Sequence, residues 1–502
     1  MTDLARMGAV DLVAGYRAGA LSPVEATQAA LDAVRMYDPL VNAFVHLDEP
    51  GALAAARASE ERWRTGRSRG PAEGVPTTIK DILLTRGWPT LRGTELIDAV
   101  GPWPDDAPAV ARLREAGAVF LGKTTTPEFA WKGVTDSTRH GVTGNPWGAD
   151  LTAGGSSGGS AAAVGLGMGA WSVGTDGGGS VRIPASFTGT VALKPTYGLV
   201  PLWPASPYGT LSHAGPMART VRDCAALLDV IAGFDARDWS AMPTPSGSFV
   251  SGLEDGVDGL RVAFSATLGS GSNDPEIDSV VRAAVAELAA AGAEVEEVDP
   301  GFEDPVEAFH VLWFSGAAKV LEQYGRAAGP AARERVDPDL RRVTKSAAAY
   351  TASDYLDATA VRMDIGLRMG LFHKRYDLLV TPTMPIPAFA AGQAAPDGWP
   401  AQLWTSWTPY TYPFNLTQQP AISVPCGFAG AGLPVGLQLI AARHQDALVL
   451  RAAQAYEQRT RWTESIPRLV REHLSETTVD TTENRHPQPS ERQACPWPGS
   501  SA

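Results

Sequence analysis

The chain has 502 residues, 44% of them hydrophobic and 19% charged, which is the make-up of a globular protein able to bury a large core. Its 42 Lys and Arg against 55 Asp and Glu leave a formal charge of -13, which argues against direct binding to nucleic acid or an anionic membrane. Three widely spaced cysteines (Cys224, Cys426, Cys495) form no C-x-x-C pair and suggest neither a disulfide framework nor a zinc site.

Residues 1–65 read as helices. Ser22-Pro23-Val24-Glu25 is a helix start with a cap serine and a first-turn proline, and Asp48 to Arg64 is a second, Ala-rich helix. The first twenty residues lack a basic region followed by an apolar core, so no signal peptide is expected. No uncharged apolar run approaches the ~18 residues of a membrane span, and a cytoplasmic location is expected. Gly74 to Lys80 switches to a β-branched, strand-like run that ends on a lysine. Ala107 to Ala116 reads as helix, Ala118 to Lys123 as strand, and a loop-rich stretch follows.

The next segment, Gly154 to Pro184, carries the chemistry. Two serines in it, Ser156 and Ser180, are each flanked by glycines. Ala161 to Met168 suits a tightly packed buried helix, and Trp171 to Thr175 a short strand ending in the turn Asp176-Gly177-Gly178-Gly179. Ser180 then falls at a helix start, where backbone N–H groups lack intrahelical partners. Consecutive glycines let a substrate carbonyl approach the main chain, as an oxyanion hole requires.

Farther on, Val191 to Lys194 reads as strand, Pro201 to Ser212 as a Pro/aromatic loop, and Thr220 to Gly233 as a capped helix. Trp239 to Gly259 is a surface connection. Leu260–Phe264, Asp274–Ala291 and Glu294–Val298 form a strand-helix-strand unit, and residues 303–375 are mainly helical and placed to cover a site. Tyr376 to Thr381 is a strand, Ala388 to Trp407 a Gly/Ala/Pro/Trp loop, Ile422–Val424 and Val435–Ile440 strands, and Asp446–Gln458 the closing helix. The domain is set at 1–475, and 476–502 reads as a polar, disordered tail. Alternating strands and helices predict an α/β fold: one large domain with a central mixed β-sheet flanked by helices.

Gly154-Gly155-Ser156-Ser157-Gly158 satisfies G-x-S-x-G, but a Pro/Gly loop precedes it where a nucleophile elbow wants a strand. His213, His310, His373 and His444 each lack the context of a catalytic base. The glycine run carries no G-K-[ST], and no paired carboxylates or metal-ligand spacing stands out. No cofactor and no metal are expected.

The Gly154–Pro184 stretch resembles the signature region of the amidase signature family, serine hydrolases that cleave amides through a Ser–Ser–Lys triad. Gly74-Val75-Pro76-Thr77-Thr78-Ile79-Lys80-Asp81 is similar to the family's lysine motif. Gly122–Phe129, Asn145-Pro146-Trp147, Leu193–Thr196, Pro420–Pro425 and Gly432–Gln438 resemble its framework segments. The resemblance covers roughly residues 5 to 470. It implies Lys80 as general base, Ser156 as bridging serine on a cis peptide, and Ser180 as nucleophile. It assigns the oxyanion donors to the backbone N–H groups of Gly177, Gly178, Gly179 and Ser180. Gly177 departs from the pattern, since relatives often carry a side chain there, and Gln418 stands where they often have glycine.

For Lys80 to act as a neutral amine at pH 7, its pKa must fall by ~3 units, about 4–5 kcal/mol, which burial can supply. The alternative is a surface lysine beside Asp81. Ser156 and Ser180 could each be simple helix caps, with Ser157 capping beside a relay role for Ser156. The resemblance puts Ala130 along the substrate channel. Phe129, Ala130, Trp131, Ser157, Tyr208, Trp404 and Trp407 are the candidate substrate contacts, with Trp203 in a neighbouring loop.

The expected activity is hydrolysis of C–N bonds other than peptide bonds: amides, including aryl amides, with esters or carbamates as further substrates, through an acyl-enzyme on Ser180. The alternatives are the glutaminase subunit of a tRNA-dependent amidotransferase, which would need partner subunits, and a catalytically dead binding protein. Expected partners are small-molecule amide, ester or carbamate substrates, without nucleic acid or membrane, and a homodimer is left open.

Overall fold

The computed structural model describes residues 4–483. Its frame is one eleven-stranded mixed sheet. In chain order the strands are Phe44–Leu47 (β1), Pro76–Lys80 (β2), Val119–Thr124 (β3), Trp171–Asp176 (β4), Val191–Lys194 (β5) and His213–Ala218 (β6). They continue with Arg261–Phe264 (β7), Glu294–Glu297 (β8), Leu378–Pro382 (β9), Ala421–Ala429 (β10) and Leu433–Ala441 (β11). Their spatial order is β1-β3-β2-β4-β6-β5-β10-β11-β9-β7-β8. Parallel pairing joins β3, β2 and β4 at one end and β9, β7 and β8 at the other, with antiparallel strands between.

The strands obey the period of two. Val262, Phe264, Leu378 and Val380 enter one core, while Ala263 and Leu379 enter the core on the opposite face. Helices Pro108–Glu115, Val221–Ile231, Pro275–Ala290 and Asp446–Thr460 bury their apolar sides in the first of these. Their starts are the ones the sequence marks: Thr220 caps Val221–Ile231 by accepting from Asp223 N–H, and Ser22 closes a capping box with Glu25. The architecture is therefore the single α/β domain with a mixed, helix-flanked sheet that the pattern predicts. Among the described residues, no helix is long and apolar enough to cross a membrane.

Residues 303–375 fold as Val306–Ala328, Pro338–Ala347 and Ala352–Phe372, with a short Pro330–Arg333 turn of helix. The first two close over a separate aromatic core with Phe309, Trp313, Trp404, Trp407 and Tyr412.

Two strands of this sheet are not marked in the sequence. Phe44–Leu47 interrupts the all-helical start predicted for residues 1–65, because four residues between two helices are too short to display alternation. His213–Ala218 is rich in small residues because the neighbouring strand presses close. A Cβ on Gly215 would sit 2.1 Å from the Leu193 carbonyl oxygen. Helix Arg468–Glu483 also runs past the boundary set at residue 475, and the rest of the expected tail, 484–502, lies outside the described residues.

Candidate active site

Strands β2 and β4 are parallel neighbours in the middle of one half of the sheet; Ile82 and Leu83, just past β2, and Thr175, near the end of β4, line the same cavity. Lys80 is the last residue of β2 and is fully buried. Its Nζ lies 2.7 Å from Ser156 Oγ, 2.8 Å from Thr175 Oγ1 and 3.4 Å from the Thr175 carbonyl oxygen. Burial drives the amine pKa well below the ordinary lysine value, opposed only in part by the Asp176 charge. Lys80 makes no ion pair with a described residue. A neutral amine has two N–H groups and one lone pair. Thr175 offers two acceptor oxygens for the N–H groups, which leaves the lone pair for the Ser156 hydroxyl.

Ser156 follows a cis Gly155–Ser156 peptide and is fully buried. Ser157 takes the N-cap position of helix Gly158–Gly165, but its side chain does not cap it. Its hydroxyl instead donates to the Thr175 carbonyl at 3.1 Å and accepts from Thr175 N–H at 3.3 Å. Its N–H donates to the Ser180 carbonyl at 3.1 Å, which ties the two serine segments together. Ser156, Thr175, Gly177 and Ser180 line one cavity. The Ser180 hydroxyl makes no hydrogen bond to a described residue, so the Ser156–Ser180 leg is not closed in this state. Such bonds often tighten only when substrate is bound.

The turn that carries Ser180 is set by a buried ion pair that sequence reasoning missed. Arg182 Nε and Nη2 each donate to the Asp176 carboxylate at 3.0 Å, and Asn415 Nδ2 donates to it at 2.8 Å. Burial pushes the Asp176 pKa up, but the Arg182 charge and the Arg182 and Asn415 hydrogen bonds outweigh it and hold the carboxyl ionised. The Gly179 N–H donates to Asp176 Oδ1 at 2.8 Å, and the Val181 N–H to Oδ2 at 3.2 Å. This corrects one expected oxyanion donor, because the Gly179 N–H is already engaged. The N–H groups of Gly177, Gly178 and Ser180 have no partner among the described residues.

The glycine run is also a packing requirement. A Cβ on Gly177 would lie 2.5 Å from the Trp313 ring. One on Gly178 would lie 2.7 Å from Trp404, and one on Gly179 would lie 2.4 Å from Thr411 Oγ1 with φ at +128°. Trp313, from helix Val306–Ala328, thus fills the space a side chain at 177 would take.

Of the candidate substrate contacts, Phe129, Ala130 and Tyr208 line the cavity, as does Trp203. Trp131, Ser157, Trp404 and Trp407 do not. Trp131 and Trp404 are buried in the aromatic core, where the Trp131 carbonyl accepts from Trp313 Nε1, and Trp407 stacks on Phe187. Large rings in a loop found one another rather than the cavity. Residues missed from sequence include Ile82, Leu83, Arg92, Leu202, Trp313 and Val320. Only their neighbourhood was signalled, by the lysine motif, the Pro/aromatic loop and the helical cover. Gln418 lies outside the cavity in the left-handed region at φ +63°, a conformation that favours glycine. None of His213, His310, His373 and His444 hydrogen-bonds either serine.

A family model described as Amidase matches residues 25–450. The chain belongs to the Amidase family. Like other members of this amidase signature group, it is a hydrolase that acts on amide bonds. At 38% identity it is similar to a Glutamyl-tRNA(Gln) amidotransferase subunit of Chloroflexus aurantiacus, covering 94% of this amidase and 100% of the relative. At 37% identity it is similar to an acylamidase of Rhodococcus erythropolis, covering 92% and 97%. A solved bacterial aryl acylamidase of the amidase signature family superposes with a TM-score of 0.85 at 30% identity, over 91% of this chain and 97% of that one.

Proposed function

We propose that this amidase hydrolyses small carboxylic amides, aryl amides foremost, through an acyl-enzyme on Ser180. The observation that carries the reading is the buried Lys80 amine, without a carboxylate partner among the described residues, held 2.7 Å from the Oγ of Ser156, which lines one cavity with Ser180. Lys80, neutral, accepts the Ser156 proton while Ser156 accepts that of Ser180, whose oxygen attacks the substrate carbonyl. The oxyanion is assigned to the N–H groups of Gly177, Gly178 and Ser180, which have no partner among the described residues. The proton returns through Ser156 to the leaving amine, and water activated along the same path releases the acid. Esters and carbamates present the same carbonyl to Ser180.

Full-length similarity to the amidotransferase relatives favours a second reading, release of ammonia from glutamine with partner subunits. The cavity walls support the first. Leu202, Trp203, Pro204, Pro207, Tyr208 and Trp313 offer apolar and aromatic surface suited to an aryl or alkyl group. The test is to incubate the purified chain with p-nitroanilides, nitrophenyl esters, carbamates and glutamine, and to map the acyl adduct by peptide mass spectrometry. An adduct on Ser180 formed from anilides by the chain alone is expected. Turnover of glutamine alone, or an adduct elsewhere, would sink the reading.

A further inference from the structure

Arg92 lines the same cavity as Ser156 and Ser180. Its backbone is held by the residue that follows the lysine. The Asp81 carboxylate accepts the Leu91 N–H at 3.1 Å and the Arg92 N–H at 2.9 Å, and the Arg92 carbonyl accepts the N–H of Phe129, another wall residue, at 2.8 Å. Arg92 itself sits at φ +54°, in the left-handed region, where a side chain of this size is uncommon. Residues kept there by a well-determined surrounding cluster at binding sites.

The charge on this side chain has no counterpart among the described residues. Among the described residues its guanidinium makes no ion pair and no hydrogen bond, and its contact is the face of Tyr324 at 5.5 Å. The nearby carboxylates are engaged elsewhere. Asp81 holds Lys123 at 3.2 Å, and Glu128 accepts from Thr94 and from the Asp337 N–H. The other walls are mainly apolar, so a counter-charge entering here would be poorly screened and strongly attracted. In a chain of net charge -13, an anionic ligand needs such a local cation.

We propose that Arg92 recognises a carboxylate on the substrate, so that the amides taken by this site are those bearing an anionic group away from the scissile bond. This rests on the hydrolase reading above and specifies its substrate class. A planar guanidinium can grip a carboxylate through two parallel N–H donors, and a lysine there would supply charge without that fork.

Two substrate pairs test it. Glutaryl p-nitroanilide is compared with its isopropyl isostere, 5-methylhexanoyl p-nitroanilide, and 4-(butyrylamino)benzoate with 4-isopropylbutyranilide. In at least one pair the anionic member should have kcat/KM higher by at least about tenfold, carried by KM. Arg92→Met should bring that ratio to about one, and Arg92→Lys should keep part of it. The same ligands are titrated into the Ser180→Ala protein and read by quenching of the cavity tryptophans Trp203 and Trp313. A binding preference there that Arg92→Met removes would support the inference even if wild type turned over none of these amides, an outcome that would sink the hydrolase reading alone. Ratios within about threefold in both pairs in both assays, or a preference that survives Arg92→Met, would overturn it.

Discussion

Lys80 on β2 and Lys123 on β3 lie on adjacent parallel strands, where Ile79 pairs with Lys123 and Lys80 with Thr124, and both side chains are fully buried. Their surroundings differ. Lys123 Nζ is 3.2 Å from Asp81 Oδ1, donates to the Leu83 carbonyl at 3.0 Å and to Thr90 Oγ1 at 2.7 Å. Lys80 meets two hydroxyls and a carbonyl and, among the described residues, no carboxylate. Burial lowers both pKa values, but at Lys123 the Asp81 charge and hydrogen bond oppose it directly, while at Lys80 only the more distant Asp176 does. Equal burial thus leaves Lys123 paired with a carboxylate and Lys80 held by hydroxyl and carbonyl groups alone. The partner, more than the depth, distinguishes them.

This contrast can be broken or sharpened by substitution. On the chemical side, Ser180→Ala should lower kcat/KM by at least about 10⁴-fold and abolish the acyl adduct in intact-protein mass spectra. Lys80→Met should lower kcat by at least about 10³-fold with a cooperative urea unfolding transition retained, since an isosteric apolar chain suits the buried stem. Lys123→Met should do the opposite. Left without its ammonium, the buried Asp81 carboxylate should lower unfolding free energy by about 3–5 kcal/mol, read from the urea midpoint, while the folded fraction keeps kcat within about tenfold. If Lys123→Met proved as inactive as Lys80→Met while remaining stable, the division of labour would be wrong.

Smaller effects test the supports. Thr175→Val keeps the shape but removes the hydroxyl that accepts from Lys80, and should lower kcat by about ten- to a hundredfold with little change in KM. Glu128 is a buried carboxyl whose pKa is raised by burial from 4.5 to about 7, against the Thr94 and Asp337 hydrogen bonds. Between those values the folded protein keeps a proton the unfolded chain has lost. Its contribution to stability is therefore full below pH 4.5 and is lost as pH rises through about 7. Glu128→Gln should flatten this slope, a change on the order of a few kcal/mol at most, read from thermal unfolding across that window.

The two lysines also mark what was legible in the sequence. The strand ending on Lys80, the two glycine-flanked serines and the turn before Ser180 could be read because each is local and each uses residue types that few other roles demand. The structure sets Ser156, Gly177 and Ser180 in the wall of one cavity, with Lys80 Nζ 2.7 Å from Ser156 Oγ. The ion pair that holds Lys123 was not legible, because its partner Asp81 acts across strands. The Asp176 clamp was invisible for the same reason, since Arg182, Asn415 and the Gly179 N–H converge only in the fold. The glycine tract reads in sequence as room for substrate, and a second cause is Trp313, Trp404 and Thr411 packed against it. Trp131, Trp404 and Trp407 were misplaced because burial of a loop aromatic depends on which distant rings it meets.

The most direct test of the relay is the pH dependence of acylation, measured as the single-turnover release of p-nitroaniline by wild type. The rate should fall as the solution is made more acidic and protonates Lys80, with a midpoint well below the ordinary lysine value of 10.5. A rate that climbs until about pH 10.5, as an ordinary ammonium would dictate, or one with no acid limb at all, would contradict the account.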